Sequence, residues 1–170
     1  MLIFLRHGET NFNLEKKWMG RLNPPLNSLG IQQARDAAEK LRNLNIKCIY
    51  SSPLTRAHQT AAEISKKLSH CPIVIINELS ERYLAEFEGI KKSDRLRIEI
   101  SNSKTVEQMD DLSFRLKHAL DEIQPQENTL IVSHSGVFKC LVEIMGYTSN
   151  PETTTINNGE YVELICSKRQ

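Results

Sequence analysis

Five ionisable side chains lie just beyond short apolar runs of this 170-residue sequence. Arg6 and His7 follow LIFL (2–5), and Arg56 lies in SSPLTR after IKCIY (46–50). Glu81 lies in NELSER shortly after IVII (73–76), and His134 follows TLIVS in the run Ser133-His134-Ser135-Gly136. Arginine offers a planar, permanently charged fork that suits phosphate oxygens. Of two histidines, one can attack as a nucleophile while the other donates a hydrogen bond. Helix starts expected after His134 and near Arg56 add backbone amides and positive dipole ends. Singly, these residues say little: a lone histidine is more often a turn residue, and a lone arginine in a first helical turn opposes the dipole and faces water. Their recurrence at four successive run ends outweighs that reading. The set describes an anion pocket containing a nucleophile, and a phosphomonoester is the ligand that fits it.

The elements that must carry these residues follow from periodicity. The four runs are nearly continuously apolar, which predicts central strands covered on both faces, and 161–166 reads as a fifth strand. Helical spacing appears over 31–44 and from Pro53, with Ser52 as its expected cap. It appears again from Thr105, where Thr105 and Gln108 match a capping box and apolar residues recur to Ile123, and over 135–145 with Gly146 as a stop. Strand–helix alternation predicts an α/β fold, a three-layer α/β/α sandwich with a mostly parallel central sheet. Residues 1–170 are expected to form a single domain, with the polar, aperiodic segment 82–104 as a small cap. Ligands of such sheets bind beyond the carboxyl ends of the strands, where the five residues fall.

Bulk properties narrow the classes. Twenty-two Lys and Arg against 21 Asp and Glu leave a net charge of +1, so composition implies no nucleic-acid surface. The apolar runs are far shorter than a membrane span needs, and Arg6 interrupts the start too early for a signal peptide. Cys48, Cys71, Cys140 and Cys166 form no C-x-x-C and sit in or beside apolar stretches. A zinc cluster or disulfide scaffold is therefore not expected, and a cytoplasmic location is.

The motifs R-H-G-E-T (6–10) with Asn13, S-S-P-L-x-R-A-x-Q-T-A (51–61), E-R…E-F-E-G (81–89) and S-H-S-G (133–136) resemble those of the histidine phosphatase superfamily, the phosphoglycerate mutase-like family, in the correct order. The resemblance implies that His7 is the nucleophile that becomes phosphohistidine. It implies that Arg6, Arg56 and His134 bind phosphoryl oxygens, with Asn13 as a further phosphate contact and Glu81 as proton donor to the leaving oxygen. A protonated His134 would add to the positive charge, and Ser135, where the family often has glycine, can add a hydroxyl to the pocket or cap the helix. No metal or cofactor is implied, and the partner is a small phosphorylated substrate.

Departures favour a phosphatase over a mutase. The cap is short, and Met19-Gly20 stands where a mutase-like chain often has Thr-Gly to bind a carboxylate; methionine has no donor. Ala85 and Val106 replace frequent glycines, which puts the backbone path of the cap in question. A serine hydrolase reading of S-H-S-G fails because the flanking glycines of a nucleophile elbow are absent. A non-catalytic phospho-ligand-binding module would be expected to lose the nucleophile or the acid, and both are present. His58, His70 and His118 read as structural or surface residues and Lys91-Lys92 as a solvated pair able to attract an anion. Trp18, Met19, Arg21 and Phe87 flank the expected pocket and could shape substrate choice, and Trp18 and Phe87 read equally as core anchors for two loops. Oligomeric state leaves no signature.

Overall fold

The computed structural model describes residues 1–123 and 128–166. A six-stranded sheet runs in the order β3-β2-β4-β1-β6-β5. Its strands are β1 (Leu2–Arg6), β2 (Cys48–Ser51), β3 (Ile73–Ile75), β4 (Thr129–Ser133), β5 (Tyr147–Asn150) and β6 (Tyr161–Cys166). β1 through β4 pair in parallel, while β6 lies antiparallel to both β1 and β5. The sheet is thus mostly parallel with an antiparallel edge.

Alternate residues of each strand face opposite layers. Phe4, Tyr50, Ile131 and Val162 pack with Leu112, Leu116, Val137, Phe138 and Leu141 from α5 (Met109–Glu122) and α6 (Ser135–Glu143). Ile3, Leu5, Ile49, Leu130 and Val132 pack on the other face with Ala37, Ala38, Leu41, Ala57, Ala61 and Ile64 from α2 (Ser28–Leu41) and α3 (Thr55–Lys67). Burying each such large aliphatic side chain contributes roughly 1.5–3 kcal/mol. These helices complete the three expected layers, and Cys48, Cys71 and Cys140 are buried among them.

Several details differ from the expectations. β3 is an edge strand whose Val74 and Ile75 are 43% and 44% exposed, so its apolar run does not mark a strand covered on both faces. α3 begins at Thr55 with Leu54 as its N-cap residue, two positions beyond Ser52, whose hydroxyl accepts from Leu54 N–H at 3.3 Å and lies 2.8 Å from His134 Nε2. α5 begins at Met109: the Thr105 hydroxyl donates to Glu86 instead of capping, and the Gln108 amide donates to the carbonyls of Ser103 and Val106. The cap contains a helix, α4 (Asp94–Asn102), whose N-cap Ser93 accepts from Leu96 N–H. A short α1 (Asn11–Leu14) follows the Arg6–His7 loop, closed by a capping box between Thr10 and Asn13. Leu84, Phe87, Ile100 and Val106 form a small separate core for the cap, with Trp18 and Leu96 against it.

Candidate active site

β1 delivers His7 at its carboxyl end, where His7 N–H donates to Ser133 O at 3.0 Å. The chain then turns through Gly8, whose N–H donates to Thr60 Oγ1 at 3.0 Å. A Cβ on Gly8 would overlap the backbone of Gly30 in α2, so only glycine lets the loop lie this close. His7 Nδ1 lies 2.7 Å from Gly8 O. A carbonyl only accepts, so Nδ1 carries the proton and Nε2 keeps its lone pair. Arg56 Nε–H donates to that Nε2 at 3.2 Å.

Arg56 is fully buried in the first turn of α3, and its two terminal nitrogens donate to Leu22 O at 2.7 Å and Gly20 O at 2.9 Å. Arg6 Nη1 donates to Ile156 O at 2.8 Å. His134 is the N-cap residue of α6 and is fully buried, with its ring centroid 5.2 Å from that of His7. Its Nε2 lies 2.8 Å from Ser52 Oγ. Glu81 accepts from Arg82 N–H at 2.8 Å and from Gly136 N–H, in the first turn of α6, at 3.1 Å. Asn13 Oδ1 accepts from Thr10 N–H at 3.1 Å, which fixes the orientation of its amide.

Burial pushes the His7 imidazolium well below its usual range, and the positive charges of Arg56 and Arg6 push it further, outweighing the bond to Gly8. His7 is therefore neutral at pH 7, as a nucleophile must be. Burial, then Arg56, His7 and Arg6, lowers His134 in the same way. The expected protonated His134 is thus not what its surroundings favour: a buried ring beside two guanidiniums is held neutral. Burial also lowers Arg56 to about 10, which leaves it a cation at pH 7. Arg6 Nε and His134 Nδ1 are buried with no hydrogen-bond partner. Trp18 Nε1 is likewise buried without a partner, and orphaned polar atoms of this kind carry a desolvation cost.

A cavity of about 870 Å³ opens on this edge of the sheet. Arg6, His7, Asn13, Arg56, Glu81 and Ser135 line it, and of the expected site residues only His134 lies behind the wall. The outer wall is mixed, with Trp18, Leu84, Ile100 and Ile156 beside Lys92 and Arg97. Lys92 and Arg97 lie over the Trp18 ring at 5.0 and 5.4 Å from its centroid, so Lys92 is a pocket residue and not only a solvated charge. Met19 also lines the cavity, its sulfur 3.3 Å from the Thr10 hydroxyl, whose one proton also has Asn13 Oδ1 within reach at 3.0 Å.

Other supporting residues escaped the sequence reading. Asn158, in the connection between β5 and β6, donates to His7 O at 3.0 Å and Gly8 O at 3.3 Å. Thr60 ties Gly8 to Arg56 O. Glu88 accepts from Arg21 N–H at 2.8 Å and Leu84 N–H at 3.0 Å, joining the loop that holds Arg56 to the cap. The one available signal was membership in a quoted motif: Thr60 and Glu88 lie in such runs, whereas Asn158 lies in none.

A doubly covered α/β sheet with two guanidiniums and two imidazoles at its carboxyl edge defines an enzyme of the phosphoryl-transfer kind. The chain belongs to the histidine phosphatase superfamily (branch 1), whose family model matches residues 2–170. It is 33% identical over 159 residues to an uncharacterized phosphatase, PhoE, of Bacillus subtilis, covering 91% of this chain and 82% of that protein. It is 34% identical over 159 residues to phosphoglycerate mutase-like protein 4 of Arabidopsis thaliana, covering 84% and 69%. The fold matches a mycobacterial glucosyl-3-phosphoglycerate phosphatase with a TM-score of 0.79 at 22% identity, covering 96% of this chain and 95% of that one. Phosphatase or mutase-like chemistry is the activity of this class. No helix among the described residues is long and apolar enough to cross a membrane.

Proposed function

We propose that the protein is a cytoplasmic, metal-independent phosphomonoester phosphatase working through a phosphohistidine on His7. The observation that carries this reading is the state of His7: buried and neutral, with its Nδ1 proton fixed on Gly8 O and the Nε2 lone pair beside the guanidinium of Arg56. Nε2 bonds to phosphorus as the ester P–O bond breaks, and Glu81 passes its proton to the departing oxygen. Water then attacks the phosphohistidine and gives a proton to the Glu81 carboxylate; orthophosphate leaves and the Nε2 lone pair is restored. Arg6, Arg56 and His134 stabilise charge on the phosphoryl oxygens, and Asn13 and Ser135 lie within the same cavity to assist. Each charge-assisted bond contributes roughly 1.5–3 kcal/mol toward a barrier reduction of about 20 kcal/mol or more. Hydrolysis is favoured over mutase transfer because Met19, at the position where a hydroxyl would grip a carboxylate, presents a thioether, which has no proton to donate.

Phosphate release from a panel of phosphomonoesters in EDTA, by wild type and His7→Ala, tests the reading. Turnover by wild type, loss of at least about 10³-fold in His7→Ala, and an acid-labile phosphoryl label on wild type alone are expected. Transfer of the phosphoryl group to an acceptor without phosphate release would instead establish a mutase. Binding of esters without any turnover would establish a phospho-ligand module.

A further inference from the structure

Resting on the assignment of Glu81 as the proton donor, we infer that Arg115, clasped by Glu107, is a positioning residue that sets where the Glu81 carboxyl meets the leaving oxygen. Glu81 follows a short 3-10 turn, Asn77–Leu79, so no regular element fixes its backbone. Arg115 reaches this segment from α5 with a side chain only 16% exposed. Nη1 donates to Glu78 O and, at 2.8 Å, to Ser80 O, while Nη2 donates to Glu81 O at 3.2 Å. The remaining donors form a fork onto the Glu107 carboxylate, Nε at 2.6 Å and Nη2 at 3.0 Å. All five N–H groups of the guanidinium are used, and all three backbone acceptors lie at or just before Glu81.

Glu107 completes the clasp from the other side. Its carboxylate accepts from Tyr83 N–H at 3.0 Å, and its main-chain carbonyl accepts from Arg82 Nε at 2.7 Å. Burial works against its charge, but the bonds from Arg115 and Tyr83 outweigh it, and the carboxylate stays ionised. The nucleophile side hangs mainly on different bonds, to Ser133 O, Thr60, Gly20 O and Leu22 O. The two sides share Arg21, an exposed side chain between Gly20 and Leu22 that donates to Glu81 O and to Glu107 Oε1, each at 3.3 Å. The Arg21 bonds are longer and more exposed than those of Arg115, and Arg56 is held through the Gly20 and Leu22 carbonyls, so loosening the Arg115–Glu107 pair displaces the acid while the phosphate pocket keeps its own bonds.

This separation gives a readout that a purely structural pair would not move. p-Nitrophenolate leaves without needing a proton, whereas the alkoxide of glycerol phosphate requires one. Arg115→Lys keeps the charge but loses the fork, and Glu107→Gln keeps the volume but weakens the grip. In both variants kcat on glycerol phosphate should fall about 10–100-fold, the size of effect a displacement near 1 Å produces. Turnover of p-nitrophenyl phosphate, and inhibition by inorganic phosphate, should stay within about threefold of wild type. Equal losses on both esters, unchanged rates on both, or weakened phosphate inhibition would each overturn the inference. If folded wild type releases phosphate from no ester of the panel, these two included, the phosphatase reading itself fails and takes this one with it, a result seen before any variant is made.

Discussion

Glycine at position 136 leaves room for Glu81: a Cβ there would overlap the Glu81 carboxylate. Gly136→Ala must therefore push that carboxylate off the N-terminus of α6, where it accepts from Gly136 N–H. The expected outcome is a folded protein whose kcat on an alkyl phosphate drops about 10²-fold while phosphate inhibition is retained, measured by steady-state kinetics. Retained activity would argue that Glu81 is not the acid. At this scale the sequence disclosed the charged side chains, because type and position mark them. It could not disclose what orients them. Gly8 O, Gly20 O and Leu22 O are backbone carbonyls that every residue carries, and Asn158 reaches His7 across 151 positions of chain.

The elements repeat this division between what a local pattern specifies and what tertiary pairing adds. The two helical layers and five strands were legible from apolar spacing. β5 was not, since YTSN has no apolar run and becomes a strand only by pairing with β6. α4 was missed because its helix buries only Ile100 and so has little apolar stripe to show. The two replaced glycines of the cap resolve differently. Val106 has no positive φ and serves the cap core, 2% exposed. Ala85 is held at φ +51, in the left-handed region that disfavours a side chain. Relief of that strain exceeds the entropic cost of glycine, so Ala85→Gly should stabilise by about 0.5–1 kcal/mol and raise Tm by roughly 1–4 °C in a thermal melt. A lower Tm would mean that the Ala85 methyl, which packs against the cap core, matters more than the backbone.

For the whole molecule, two buried neutral histidines couple folding to pH. His7 and His134 both titrate well below the ordinary histidine value of 6.5. Below about pH 6.5 the unfolded chain takes up protons that the folded chain refuses, so stability must fall as pH drops through that range and is complete above it. Buffer scans between about pH 8 and 5 should show Tm declining on the acid side, with a shallower decline in His7→Asn. A flat profile would contradict the buried neutral state. The carboxylates Glu63, Glu107 and Glu160, all lowered by partners, lose their contribution only at more acidic pH, so the two effects are separable.

The position of β1 carries a consequence for how the molecule comes into being. Its two neighbours in the sheet are β4, at Thr129–Ser133, and β6, at Tyr161–Cys166. The strand that ends in Arg6 and His7 thus leaves the ribosome well before either of its partners exists, and Ile156 and Asn158, which brace its loop, come late as well. Pairings across such sequence separations are slow to close. The nascent chain can assemble α2, β2, α3 and β3 while β1 still waits. The loop carrying His7 is therefore braced only once the chain has been made as far as Asn158, 151 positions later.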